Sequence, residues 1–287
     1  MLRRKTARVG ALMLVLVLAL LAISGCSSSD DDKVIELGYV QWACANANSH
    51  LVKVILEEEY DVEVNLRSMD AGVLWQSVAT GDIDFMVTAW LPTTHESYYS
   101  QLKDDVVDLG PLYEGAAIGL VVPQYVDIDS IEELNDNAEK FNNRIIGIDP
   151  AAGIMSATNS AIDEYGLELE LITSSDSAMT AELKAAYDDE EWVVVTGWAP
   201  HWKFGSFDLK FLEDPNNIYG GSETINPITR LDFADDHPEI NDFLDNYFLT
   251  GDQFGSLIAT LEDYEDDTEG AKAWIEENRE LVDSWLE

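Results

Sequence analysis

Residues 74–95 read LWQSVATGDIDFMVTAWLPTTH. Val73 to Ala79 has the spacing of a short helix, and Gly81 supplies the left-handed conformation that ends one. Ile83 to Ala89 is an apolar run of strand length that delivers Trp90 and a proline-containing turn at its carboxyl end. This helix–strand unit repeats in both directions. Upstream, Val34–Val40 is a strand, His50–Tyr60 is a helix with Leu51, Val54 and Ile55 on one face, and Val62–Leu66 alternates as a strand. Downstream, Ala116–Val122 is a strand ending at Pro123, and Ser130 with Glu133 three residues on predicts a capped helix.

A second round of the same alternation occupies the middle of the chain. Strands are expected at Arg144–Ile148, Leu167–Thr173 and Trp192–Thr196, with helices at Ile154–Tyr165 and Ser177–Tyr187. Short strands at Leu209–Leu212 and Ser222–Ile228 lead into a helical end, with helices at 240–248, 253–262 and 270–285. Strand–helix alternation implies an α/β protein with parallel sheets. Two rounds imply two lobes: residues 34–123 plus 225–287 as lobe 1, and 124–224 as lobe 2. Two chain crossings make a hinge, and a hinge between α/β lobes makes a closing cleft.

Sixteen basic residues stand against 56 acidic ones, a formal charge of −40 that disfavours a nucleic acid partner. Apolar residues at 46 % and aromatic residues at 10 % supply a core and exclude disorder for the bulk of the chain. Two cysteines exclude a disulfide-built scaffold. The acids are dispersed, as on a halophilic acidic surface that stays hydrated at high salt. The chain begins with Arg3, Arg4, Lys5 and Arg8, an apolar run from Val9 to Ile23, then Ser24-Gly25-Cys26. Fifteen apolar residues fall short of the roughly 20 of a spanning helix, so residues 1–25 read as an export signal. Ile23-Ser24-Gly25-Cys26 resembles a lipobox, with Cys26 as the lipid-bearing residue and residues 26–33 as a polar tether. Arg3-Arg4 leaves general secretory and twin-arginine export both open. Cleavage before Cys26 removes four basic residues and no acid, taking the charge to −44.

Ligands of open α/β sheets sit outside the carboxyl ends of the strands. Those ends deliver Trp42, Trp90 and Trp198, together with Gly153 at a helix N-terminus. One such tryptophan is ordinary packing, but three at equivalent places form a cage for a quaternary ammonium. A helix N-terminus offers free N–H groups to a carboxylate. The pair fits a ligand with a methylated cation at one end and a carboxylate at the other, a betaine.

The segments GYVQW (38–42), LWQSVATGDIDFMVTAWLPTTH (74–95), YEGAAIGLVVPQY (113–125), IIGIDPAAGIMS (145–156) and VTGWAPHWKFGSFDLKFLEDP (195–215) resemble the glycine betaine/proline betaine-binding proteins of ABC importers. The resemblance implies a type II periplasmic-binding fold and no enzymatic activity or cofactor. It implies glycine betaine and proline betaine as ligands, permease and ATPase subunits as partners, and a place on the outer face of the membrane. It makes Trp42, Trp90 and Trp198 the cage, and assigns the carboxylate to His95 and the backbone N–H groups of Gly153 and Ile154. Family members commonly carry an acidic residue after the first tryptophan; Ala43 and Cys44 occupy those positions here. Choline or carnitine is the alternative ligand.

The residues alone also leave open an exported thiol hydrolase using Cys44 with His50 or His95, although no third group is evident to orient the histidine. His201 and Trp202 read as bracing the lobe or cleft mouth, Trp75 as core, and His50 and His237 as surface. Trp192, Trp274 and Trp285 read as packing. No His/Cys/Asp/Glu cluster has metal-ligand spacing, and no glycine-rich phosphate loop occurs. If Cys26 carries lipid, Cys26→Ala shifts the protein from the membrane fraction to the soluble fraction or stalls its processing. A processed mutant that stayed in the membrane fraction would refute the anchor.

Overall fold

Apolar strands of five to seven residues, buried on both faces, need helices on either side, and the computed structural model shows that arrangement. It describes residues 34–287; the expected signal, Cys26 and the tether lie outside the described residues. In the first round β1 (Val34–Tyr39) leads to α1 (Ala43–Glu59), β2 (Glu63–Ser68), α2 (Ala71–Thr80), β3 (Phe85–Leu91) and α3 (Glu96–Leu102). β4 (Val106–Asp108) and β5 (Tyr113–Pro123) close that round. The second round comprises β6 (Arg144–Ile146), α4 (Gly153–Tyr165), β7 (Glu170–Ile172), α5 (Asp176–Asp188), β8 (Val195–Ala199), α6 (Lys203–Ser206) and β9 (Leu209–Phe211). β10 (Glu223–Arg230) returns the chain, and α7 (Phe233–Asp236), α8 (Pro238–Asn246), α9 (Gly251–Glu262), α10 (Asp267–Glu277) and α11 (Arg279–Trp285) complete it.

The strands run in the order β2-β1-β3-β10-β5-β8-β6-β7, with β4 on β10 and β9 on β5. β1 pairs in parallel with β2 and β3, and β6 pairs in parallel with β7 and β8. Between these two parallel groups β10 and β5 run antiparallel. β5 changes partner along its length: Tyr113, Glu114 and Ala116 pair with β10, whereas Ala117–Val121 pair with β8. One strand therefore joins both halves of the sheet.

Gly81 closes α2 at φ +79, the left-handed conformation its sequence position implied. Ser130 and Glu133 form the expected capping box, yet the chain beyond Ser130 forms two 3-10 segments, Ile131–Glu133 and Asn135–Phe141, rather than an α-helix. Asn135, Asp136 and Asn137 have side chains that compete for backbone groups, which disfavours helix propagation. The strand expected at Trp192–Thr196 begins at Val195, where pairing to Val121 and Ile146 starts, and runs on through Trp198. Two short elements, α3 and β4, have too little periodicity to be found by pattern. His50, expected on the surface, is half-buried: its Nδ1 lies 3.2 Å from Thr268 Oγ1 and its ring packs edge-on against Tyr39.

The C-terminal helices α9 and α10 pack on α1, so the end of the chain covers the first half of the sheet. Trp75, Trp274 and Trp285 are buried, and Trp192 is partly buried against Phe141. Within this core Asn48 is fully buried; its Nδ2 donates to the Val87 carbonyl at 2.8 Å, and its Oδ1 accepts from the Tyr247 hydroxyl. Tyr247→Phe strands the Asn48 carbonyl without a donor, an expected loss of about 1–3 kcal/mol. Urea denaturation of the variant checks this.

Candidate functional site

Trp42 caps the start of α1 with extended backbone, Trp90 is the penultimate residue of β3, and Trp198 lies in β8 opposite Ile118 of β5. All three line one cavity, together with Thr94, Ile118, Ile148, Ala152, Gly153 and Ile154. The indoles come from both halves of the sheet, and each is at most 6 % exposed. Trp90-Leu91-Pro92 and Trp198-Ala199-Pro200 each contain a cis X–Pro bond directly after the tryptophan-bearing segment. The Trp42 Nε1–H donates to Asp149 Oδ2 at 3.0 Å, the Trp198 indole faces the buried Cys44 thiol, and the Trp90 indole nitrogen has no hydrogen-bond partner among the described residues.

Gly153 and Ile154 open α4. Its N-cap, Ala152, has no capping side chain, and neither the Gly153 nor the Ile154 N–H has an acceptor among the described residues. A helix start of this kind has donors and the positive dipole end available for an anion. Gly153 is required sterically: a Cβ there would sit 2.0 Å from the Thr94 carbonyl oxygen, which belongs to the other half of the molecule. Two further contacts bridge the same gap. The Tyr98 hydroxyl donates to the Ala151 carbonyl at 2.8 Å, and the Ala43 N–H donates to Asp176 Oδ2 at 3.0 Å.

His95 is buried but is not among the cavity-lining residues. Its Nδ1 accepts the Trp90 N–H at 3.0 Å, so the neutral ring carries its proton on Nε2, which has no partner among the described residues. Burial pushes its pKa down to about 3, and its ring packs beside Trp42, Trp75 and Tyr98. The turn carrying Thr94 and His95 is held by buried Glu223 of β10. Its Oε1 accepts the Thr93 and Thr94 N–H groups at 2.6 and 2.7 Å, and its Oε2 accepts the Thr94 hydroxyl.

Behind the Trp198 wall lies a second buried group of polar residues. His201 Nδ1 accepts the Lys203 N–H at 3.1 Å, leaving Nε2 to donate to Asp176 Oδ1 at 3.1 Å. Burial works to raise the Asp176 carboxyl, but the hydrogen bond and charge of His201, with Lys203 and the Ala43 N–H, hold it below its ordinary value. Burial, together with the Lys203 charge, pushes His201 down to about 4 despite Asp176. His201 thus lies in the interior, bracing Asp176, instead of at the lobe surface or cleft mouth. Cys44 is a free buried thiol pushed up to about 12, chiefly by burial, and neither His50 nor His95 hydrogen-bonds it. Such a thiol holds no thiolate at neutral pH for nucleophilic attack.

Residues 33–277 match the family described as the substrate-binding domain of ABC-type glycine betaine transport systems. The chain belongs to this family. A glycine betaine/carnitine transport binding protein of Listeria monocytogenes is 44 % identical over 155 residues, which span 53 % of this chain and 52 % of that protein. The matched segment is thus about half the length of that relative. The lactococcal OpuAC structure, closed around glycine betaine, is 35 % identical with a TM-score of 0.84, covering 89 % of this chain and 100 % of that one. A glycine betaine/L-proline-binding protein of Borrelia burgdorferi is 36 % identical with a TM-score of 0.85, covering 89 % and 97 %. These likenesses confirm the α/β periplasmic-binding fold.

Of the residues proposed from sequence, Trp42, Trp90, Trp198, Gly153 and Ile154 meet at the cavity, and His95 lies just behind its wall. Asp149, Asp176, Glu223, Thr94 and Tyr98 escaped the sequence reading. Asp149 sits in a quoted strand end beside Pro150 and was within reach of it. Ser175-Asp176 reads only as an ordinary helix start, and Glu223 only as the first residue of a strand. Gly153→Ala is expected to weaken ligand binding at least tenfold, because its Cβ meets the Thr94 backbone where the two halves of the sheet face each other. Calorimetric titration checks this.

Proposed function

We propose that this chain binds glycine betaine, and proline betaine as a second ligand, and delivers it to the permease and ATPase subunits of an ABC importer for osmoprotectant uptake. The observation that carries the reading is the convergence of three indoles and an uncapped helix N-terminus on one cavity. The indole faces of Trp42, Trp90 and Trp198 attract the trimethylammonium, which cannot be matched by a hydrogen bond. The Gly153 and Ile154 N–H groups take the carboxylate, and His95 Nε2–H, a buried donor with no partner among the described residues, is the third donor for it. Choline has no carboxylate and would leave all three donors unpaired, which favours a betaine over it. Carnitine, which bears a carboxylate, is a second candidate, and the Listeria relative is named for both.

Lobe 1 (34–123 plus 225–287) and lobe 2 (124–224) close on the ligand, with β5 and β10 carrying the hinge. The contacts Trp42–Asp149, Tyr98–Ala151 and Ala43–Asp176 form as they meet. Export by residues 1–25 and a lipid on Cys26 hold the protein at the outer face of the membrane. No catalytic step is assigned to any residue.

Titration calorimetry with glycine betaine and choline separates the two ends of the ligand. Trp90→Ala should cost both ligands about 1–2 kcal/mol, near tenfold in affinity. His95→Ala should cost glycine betaine about 1.5–3 kcal/mol and leave choline unchanged. Equal losses for both ligands in His95→Ala would overturn the assignment of His95 to the carboxylate.

A further inference from the structure

Lys203, the first residue of α6, is fully buried, and its Nζ has no hydrogen-bond partner among the described residues. It lies 3.9 Å from the centroid of the Trp198 ring. Trp198 lines the cavity and Lys203 does not, so the amine meets the indole from outside the lining of the ligand space. An aromatic ring presents negative potential on both faces. The ring that takes the ligand's cation on one side thus already carries an amine on the other.

We propose that Lys203 is a positioning residue for the cation site: its amine and the ligand's quaternary ammonium compete for the two faces of Trp198, so that ligand binding expels the Lys203 proton. This rests on the betaine reading above. The quaternary ammonium has no proton to lose, so the amine is the group that yields, and the proton passes to solvent. By linkage, whatever makes the ligand displace the proton makes the proton displace the ligand. At low pH a protonated Lys203 opposes the ligand, and at high pH the neutral amine leaves Trp198 to it.

The surroundings of Lys203 permit this in the neutral range. Burial pushes the amine down to about 7, against the pull of Asp176 and Cys44. The titratable groups facing it come from three directions: Cys44 on α1, Asp176 on α5 and His201 on the turn before α6. Cys44 titrates near 12 and His201 near 4, and Asp176 stays ionised. Lys203 alone of this group changes charge between pH 6 and 8.5. Asp176 keeps its partners in either state, because its bonds from His201 and the Ala43 N–H do not involve the amine.

The experiment is calorimetric titration of the full-length mature protein with glycine betaine at pH 6, 7 and 8.5, each in two buffers of different ionisation enthalpy. The expected result is an affinity about tenfold higher at pH 8.5 than at pH 6, with close to one proton released per ligand at pH 6. Lys203→Met, an apolar replacement of similar length, should bind at the high-pH level throughout and release no proton. Lys203→Arg, which stays charged, should bind weakly throughout. An affinity independent of pH with no proton release, or a Lys203→Met variant that kept the wild-type slope, would overturn the proposal and leave the betaine reading standing. Absence of glycine betaine binding at every pH would overturn both.

Discussion

An indole face attracts a cation usefully only where water is kept from the ring, since bulk solvent screens the interaction to a small fraction of its dry value. In the proposed function that requirement falls on this cavity, whose indoles come from the N-cap of α1, from β3 and from β8, on both halves of the sheet. Bringing those elements together forces backbone against backbone at Thr94 and Gly153, where no side chain fits. It also requires the Thr93–Thr94 turn to hold its shape, which the buried Glu223 carboxylate achieves by accepting two backbone N–H groups and one hydroxyl.

The two histidines of the interior are set by the same device. In each, Nδ1 accepts a backbone N–H, from Trp90 for His95 and from Lys203 for His201, which commits the proton to Nε2. His201 spends that proton on Asp176, whereas His95 keeps it unspent. Burial keeps both rings neutral across the physiological range. They therefore act as fixed donors and contribute no charge beside the indoles that line the cavity.

The fold was legible where a period or a stop residue was strong. The strands at 34–40 and 83–89, the Gly81 stop and the Ser130–Glu133 capping box each arise from local chemistry. Boundaries were legible only where pairing coincided with hydrophobicity: the apolar run at Val193–Val194 lies ahead of its strand because its partners on β5 and β6 begin at Val195. The tryptophans were legible because strand ends are few and three of them carry indoles. Asp176 and Glu223 were not, because each looks locally like an acid doing ordinary work at an element start, and its role appears only when Ala43 or Thr94 arrives from 133 or 129 positions away. Lys203 was hidden for another reason: a lysine reads by default as solvated, and only the packing shows it enclosed.

The place of β10 in the sheet bears on how the chain comes together. β3 and β5 are synthesised early, yet they have no pairing with each other and are joined only through β10. Until residues 223–230 emerge, β3 presents a bare edge of a largely apolar strand, and α9 and α10 are not yet there to cover α1. The intervening segment, with β6, β7 and β8, can assemble its parallel core from contiguous chain in the meantime. Completion of the early half thus waits on the last quarter of the sequence, and a chain truncated before residue 223 retains an unpaired strand edge of the kind that recruits other chains.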